Sequence, residues 1–442
     1  TGAGVYCVGS QCVDLNVCPT CTFTTVQAAI DAAPAGATIP IAAGSYDELI
    51  TIDKNLKLAR AGTGQITLMY TGAGYGTTKF APIVTVSLNR TVTIEDVTIT
   101  GGKNKDTNGP GTGGGILNNG TLTLKRCTIT ANEAGNGAGI YSDTDSSLTL
   151  EDTDVTSNSS VGNGAGIACL GALSITNGSV SNNSMTNLNN AGGGIYASGT
   201  MTATGVTIKG NSAGAGAGGI HLGTDQTLAS TIWTMSACDV DGNSNTGIGG
   251  GIYVYFGALT ISGGTTIRNN TAANGGGGLF ISGGAAVTLN DTSSVTANKT
   301  TATNLGGGGG AFISFEPGTK LTLAGTAEIS GNTATNDTGS AGGGGVLVNG
   351  SNVAGEGGLL RLRDQSKIRN NSATASFGGG VRSLGKVELS SGCLVTGNTA
   401  SAGQNTGGGI YSGGFFSSGE RLTGVTANNV TNNTPDNVYN EP

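Results

Sequence analysis

The chain has 442 residues, of which 82 are glycine and only 11% are charged, and its formal net charge is −7. Glycine is far above its usual share of about 7% and charge far below the usual ~25%, which argues against a helical enzyme or a coiled coil. The acidic balance opposes polyphosphate binding, no stretch approaches the roughly 20 apolar residues of a spanning helix, and clumped glycines exclude collagen.

Numbering opens at Thr1 with neither initiator Met nor signal peptide, which reads as a processed chain. Residues 1–22 form a Cys-rich N-terminal arm. The spacing of Cys7, Cys12, Cys18 and Cys21 fits paired zinc knuckles poorly, so two disulfides are expected. Residues 24–33, TTVQAAIDAA, predict a short helix with Val26, Ala29, Ile30 and Ala33 on one face and Pro34 as its stop. Such a helix would cover the open edge of the first strands, expected at Thr38–Ala42, Leu49–Ile52 and Leu56–Leu58.

From there two motifs alternate. One is a glycine clump followed by an apolar residue, as in GGGIL ending at Leu117, GAGIY at Tyr141 and GGGIY at Tyr196, Tyr253 and Tyr411. The other is a short alternating run closing on Asn132, Asn158, Asn183, Asn211, Asn243, Asn270, Asn298, Asn332, Asn371, Asn398 and Asn433. Between Ile116 and Ile410 the glycine motif covers 294 residues in ten intervals, a mean period of about 29. Runs such as TLTLKRCTIT and SLTLEDTDVT alternate with period two and are expected to be strands with one face inward. Each coil is expected to hold three short strands, stacked in parallel at roughly 4.8 Å. The resulting fold class is an all-β, right-handed parallel β-helix of about fourteen coils, spanning residues 23–433 and followed by a tail at 434–442 without an amphipathic cap. Glycine suits tight bends. Asn tolerates the left-handed conformation, and stacked Asn amides can bond from coil to coil. Cys127, Cys169, Cys238 and Cys393 sit in repeat positions and read as small core side chains.

CTFTTVQAAIDAAPAGATIPIAAGSYDELITIDKNLKL resembles the opening of right-handed parallel β-helix proteins of the pectin-lyase-like superfamily. The matching positions are Thr25, Val26, Gln27, Ala29, Ile30, Gly44, Tyr46 and Glu48. The GGGIY repeats and the closing NNTPDNVY resemble secreted surface proteins with repeats like those of polymorphic outer-membrane adhesins. The resemblance covers nearly the whole chain after residue 20. It implies the fold and leaves activity open, because the superfamily mixes lyases, glycosidases, tailspikes and adhesins.

The single histidine, His221, occupies a position where other coils place Tyr, Phe or Leu, and reads as a substituted repeat residue. Acidic candidates are Glu95–Asp96, Glu151–Asp152–Asp154 and Asp239–Asp241. Lys125–Arg126 falls in register between the first two groups, so a cross-strand charge ladder accounts for them without catalysis. The acids lack the placement of calcium-binding nonapeptide repeats and of paired glycosidase carboxylates. No catalytic residue, metal site or cofactor is expected. Tyr253, Tyr255, Phe256, Phe415, Phe416 and Trp233 could serve as sugar platforms, with core or coil-edge packing the preferred role. Sequons at Asn89, Asn119, Asn158, Asn177, Asn290, Asn298, Asn336, Asn349 and Asn429 permit glycosylation.

The expected function is that of an extracellular or cell-surface structural protein associating head to tail into a fibre, with itself as partner, no nucleic acid and no membrane span. The competing readings are a monomeric adhesin or glycan-binding module, using the loops Lys103–Gly111 and Asp225–Trp233, and a polysaccharide lyase or hydrolase. An ice-binding threonine array is a weaker fourth, because the loops between Thr-x-Thr runs vary in length.

Overall fold

A computed structural model of the chain describes all residues except 1–3, 9–10, 106–110, 188, 224–229, 302–305, 336–341, 352–356, 402–405, 414–421, 428 and 441–442. The chain divides into two compact units, Thr1–Thr200 and Met201–Pro442.

The first unit opens with an antiparallel hairpin, β1 (Val5–Val8) and β2 (Gln11–Asp14). Helix α1 (Val26–Ala32) follows, capped by Thr25, whose side chain accepts from the Ala28 amide. Val26, Ala29 and Ile30 form its buried face, the i, i+3, i+4 pattern of an amphipathic helix. Both helix ends are bonded from later in the chain. The Glu48 carboxylate accepts from the amides of Val26 and Gln27 at 2.7 and 2.8 Å. The Lys54 ammonium donates to the carbonyls of Ile30, Asp31 and Ala33. These contacts neutralise the exposed N–H and C=O groups that a seven-residue helix cannot pair internally.

The stack begins with β3 (Ala37–Asp47), β4 (Ile50–Ile52), β5 (Leu56–Met69) and β6 (Val84–Val86). It continues with β7 (Thr91–Glu95), β8 (Val97–Thr100) and β9 (Lys103–Asn104). The next coil shows the repeating unit: β10 (Ile116–Asn118), β11 (Thr121–Lys125), β12 (Thr128–Thr130) and β13 (Glu133–Ala134). A coil therefore has four short strands where the sequence predicts three. The predicted run TLTLKRCTIT is broken at Arg126, which bends with φ 53° and separates β11 from β12. The corner is repeated at Asp96, Asp152 and Asn177. A second left-handed corner, at Ala131, Ser157 and Asn182, comes immediately before each Asn of the repeat.

All strands after the hairpin pair in parallel with the equivalent strand of the next coil. Thr121–Lys125 aligns residue for residue with Thr91–Glu95 on one side and Ser147–Glu151 on the other. Leu122 and Leu124 point inward and are fully buried, with Val92, Ile94, Leu148 and Leu150 above and below. Burying one such side chain contributes about 1.5–3 kcal/mol, and the register repeats it coil after coil. Among the described residues, the first unit has six strands that carry the glycine motif or its counterpart and the second has eight. The second unit repeats the same plan, with Val240, Ile267, Val295 and Ile329 forming one of its inward columns.

The glycine clumps mark the closest backbone approach. A Cβ on Gly278 would lie 2.7 Å from the Val295 methyl, 2.8 Å from the Gly310 carbonyl and 2.9 Å from the Asn298 amide. Only hydrogen fits there.

Two boundaries differ from those expected. The arm at 1–22 is docked on the first coil. Tyr6 accepts from the Thr38 amide at 2.6 Å, Val17 pairs with Ile41, and Leu15 and Val17 are buried. The expected tail at 434–442 includes a strand, Val438–Asn440, in register with Ile410–Ser412. Its NVYN segment repeats the apolar–Tyr–polar order of the glycine motif without the glycines, and so escapes a search for clumps.

Candidate functional site

Charge concentrates beside the first corner of each coil, because outward positions on β7 and β11 end there. Lys57 contacts Glu95 at 2.9 Å and Lys125 contacts Glu151 at 2.8 Å. Arg126 grips Asp96 with two hydrogen bonds of 3.0 Å, a bidentate fork–carboxylate pair. Arg60 reaches Asp96 from the preceding coil at 3.5 Å. The hydrogen bonds from Arg126 hold the Asp96 carboxyl below the usual carboxylate range, which keeps it ionised and makes it a poor proton donor. Asp152 accepts from Asn177, and Asp154 from Ser179. In the second unit Arg268 forks onto Asp239 at 3.0 and 2.8 Å and also approaches Asp241, which Lys209 contacts at 2.9 Å. Each predicted acidic group thus lies in a ladder to a neighbouring coil.

The Asn column lies inside. In the first unit Asn132 donates its backbone and side-chain N–H to the Asn158 amide oxygen, and Asn158 does the same to Asn183. In the second unit the chain of bonds runs from Asn211 through Asn243, Asn270, Asn298, Asn332, Asn371 and Asn398 to Asn433. The side-chain N–H₂ groups also donate to carbonyls, as Asn270 does to Val240 at 2.9 Å and Asn298 to Ile267 at 2.9 Å. Two sequons, Asn158 and Asn298, belong to this column and are 1% exposed, so the folded chain offers neither to a glycan. Asn429 is also buried and bonded to Thr426 and Gly424. Asn89 and Asn177 are exposed, and Asn119, Asn290 and Asn349 are half-buried. Asn336 lies outside the described residues.

The aromatics divide by face. Trp233 is fully buried and is no sugar platform. His221, Tyr253, Phe280 and Phe312 occupy one register position on successive coils, with ring centroids 4.7, 5.0 and 4.7 Å apart. Burial pulls the His221 imidazole down to about 4, leaving it neutral at pH 7. Tyr255 and Phe256 pack together at 4.3 Å and stay half-buried. Phe415, Phe416 and much of the loops 103–111 and 225–233 lie outside the described residues.

Cys18 and Cys21 form a disulfide, and Cys12, opposite Cys7 in the hairpin register, is also disulfide-bonded. Cys127, Cys169, Cys238 and Cys393 are free and buried, and desolvation pushes the thiols of Cys127 and Cys169 up to about 11. Among the described residues no group of three or more His, Cys, Asp or Glu could hold a metal, and no helix is long and apolar enough to cross a membrane.

The feature missed in the sequence is an irregular corner on β5. Leu56–Leu58 pairs with β7 and Ile66–Leu68 with β8, so residues 59–65 stand opposite Glu95 and Asp96 alone. The signal was present as the glycine-spaced AGTGQ between two alternating runs. Beside this bulge lies a cavity of about 290 Å³. A larger one, about 540 Å³, is lined by Leu422, Val425, Ala427, Val430 and Val438 in the second unit.

Residues 112–293 match the family described as "Right handed beta helix region". No curated protein and no solved structure matches the chain. The parallel coils and the family match agree on one fold class, the right-handed parallel β-helix.

Proposed function

We propose that the chain is a structural β-solenoid of the cell exterior that associates with copies of itself, and that it has no catalytic role. The observation that carries the structural part is the use made of the reactive side chains. Glu95, Asp96, Glu151, Asp239 and Asp241 are each ion-paired to a neighbouring coil, and the Asn column is saturated by its own amides. Side chains spent on coil-to-coil bonds suit a load-bearing surface better than a reaction centre. Kinship with pectin-lyase-like surface proteins carrying GGGIY repeats is part of the same proposal, as is secretion, which the disulfides at Cys12 and at Cys18–Cys21 favour.

Self-association rests on the 540 Å³ cavity, whose lining combines Leu422, Val425, Ala427, Val430 and Val438 with the polar Thr426, Asn437 and Asn440, a mixed surface that suits a second copy of the chain. Its counterpart would be the hairpin and α1, which cover the first coil, so the contact would be head to tail and non-closing. Negative-stain electron microscopy of the native protein over a concentration series tests this. Uniform fibres are expected. Discrete particles at every concentration would overturn self-association, and release of products from an acidic polysaccharide would overturn the non-catalytic reading.

A further inference from the structure

The β5 bulge and the corner beneath it form a site that the coil repeat does not require. Elsewhere one or two left-handed residues turn the corner, two of them at Asn177–Gly178 and at Gly263–Gly264. On β5, Ala59–Ala61 still pair with Pro40–Ala42 of β3 and the extra residues are Gly62–Gln65, with Gly62 and Gly64 at φ 77° and 103°. Bulges of this kind re-aim side chains next to binding sites. Here the bulge sets Arg60 and Gln65 over the corner of the following coil, and the cavity of about 290 Å³ lies between Arg60, Gln65, Asp96, Thr98 and Arg126.

The bonding of the two guanidinium groups differs. Arg126 makes two hydrogen bonds of 3.0 Å to Asp96. Arg60 makes a 3.4 Å contact to the Gly64 carbonyl and a 3.5 Å contact to Asp96. Both are longer than the 2.7–3.2 Å of an ordinary N–H···O bond. One ionised carboxylate is thus shared by two permanent cations, and the less well-bonded one faces a cavity. Gln65 donates to the Thr98 hydroxyl at 2.8 Å, which fixes the opposite wall. Lys57 contacts Glu95 at 2.9 Å and also acts on Asp96 at longer range, and Arg126 approaches Glu95 at 3.6 Å, so the three cations Lys57, Arg60 and Arg126 face the two carboxylates Glu95 and Asp96.

We propose that this cavity binds an oxyanion, held by the planar donor fork of Arg60 on one side and, on the other, by the guanidinium N–H groups of Arg126 that its two bonds to Asp96 do not use. A guanidinium presents paired N–H donors at the spacing of two oxygens of a sulfate, phosphate or carboxylate. The local excess of one positive charge is the complement such a ligand needs. The site is independent of the self-association reading, since it lies on the first unit beside β5 and uses none of the residues around Val438.

The test is isothermal titration calorimetry of the full chain with sodium sulfate and, separately, with glucose 6-sulfate, at constant ionic strength set with sodium chloride. Saturable binding is expected, weakened at least tenfold in Arg60→Gln and in Arg126→Gln and unchanged in Arg363→Gln, an exposed arginine of the second unit. Arg60→Lys keeps the charge without the fork and is expected to fall between wild type and Arg60→Gln, which separates ligand binding from a folding defect. Equal affinities assign the site to a free oxyanion, and tighter binding of the sugar assigns it to a sulfated saccharide. Absence of saturation against matched chloride, or wild-type affinity in Arg60→Gln, would overturn the proposal.

Discussion

At the scale of single residues, the Asn column and His221 carry the sharpest consequences. The Asn270 side chain accepts two N–H bonds from Asn243 and donates to Val240 and Asn298. Asn270→Ala therefore strands buried donors of Asn243 and a buried carbonyl at once. At about 1–3 kcal/mol for each stranded buried group, the expected loss is about 3 kcal/mol or more, read as a lower midpoint in urea unfolding. Substitution of exposed Asn269, the corner residue beside it, by Gly keeps φ near 54° but removes its 2.8 Å bond to Asp241, so a smaller loss of about 0.5–1.5 kcal/mol is expected. His221 gives a pH signature. Its folded-state value of about 4 lies below the ~6.5 of an unfolded histidine, so above pH 6.5 both states are neutral and the stability is complete. As pH falls from 6.5 toward 4 the unfolded chain takes up a proton that the folded chain refuses, and stability is lost. His221→Phe, the residue the stack carries at Phe280 and Phe312, is expected to flatten that part of the stability-versus-pH curve while leaving pH 8 stability within about 1.5 kcal/mol.

At the scale of elements, α1 depends on two residues far along the chain. Glu48→Ala removes both charge-assisted bonds to the helix amides. It is expected to cost about 1.5–3 kcal/mol and to open residues 19–36 to limited proteolysis before the rest of the first unit. Lys54→Met tests the other helix end by the same digestion. The match of Gln27, Tyr46 and Glu48 to a known opening pattern was visible in the sequence, and the structure shows why those residue types go together. Gln27 bonds across to the Thr51 backbone, Tyr46 to the Ala42 carbonyl, and Glu48 to the helix. Strand periodicity, glycine clumps and the recurring Asn were legible because each is a local pattern forced by one coil packing on the next. The corner at Arg126 was not, since a left-handed arginine leaves no compositional mark. The threonines align in register, as at Thr93, Thr123 and Thr149, because the loops of unequal length fall at other corners. The β5 bulge and the docking of the arm depend on pairing between distant residues, which no window along the chain contains.

At the scale of the whole molecule, the net charge of −7 sets how the proposed self-association would respond to conditions. Copies of an acidic chain repel at long range, and salt shortens that reach to about 10 Å at 0.1 M and about 3 Å at 1 M. The lining of that joint, Leu422, Val430 and Val438 with Thr426, Asn437 and Asn440, carries no charged side chain, so its attraction persists while the repulsion is screened. Assembly is therefore expected to increase from 0.05 to 0.5 M sodium chloride, measured as the rise of a fast-sedimenting species in analytical ultracentrifugation. A joint made of ion pairs would respond in the opposite direction. Val438→Asp places a charge in the cavity on a strand paired, among the described residues, with Ile410–Ser412. It is expected to abolish the fast species at every salt concentration while leaving the midpoint of thermal unfolding within a few degrees of wild type. Leu422→Asp, from a different strand of the same lining, provides the independent check. If both variants assemble like wild type, the cavity is not the joint, and the salt response alone then shows whether any apolar contact holds the copies together.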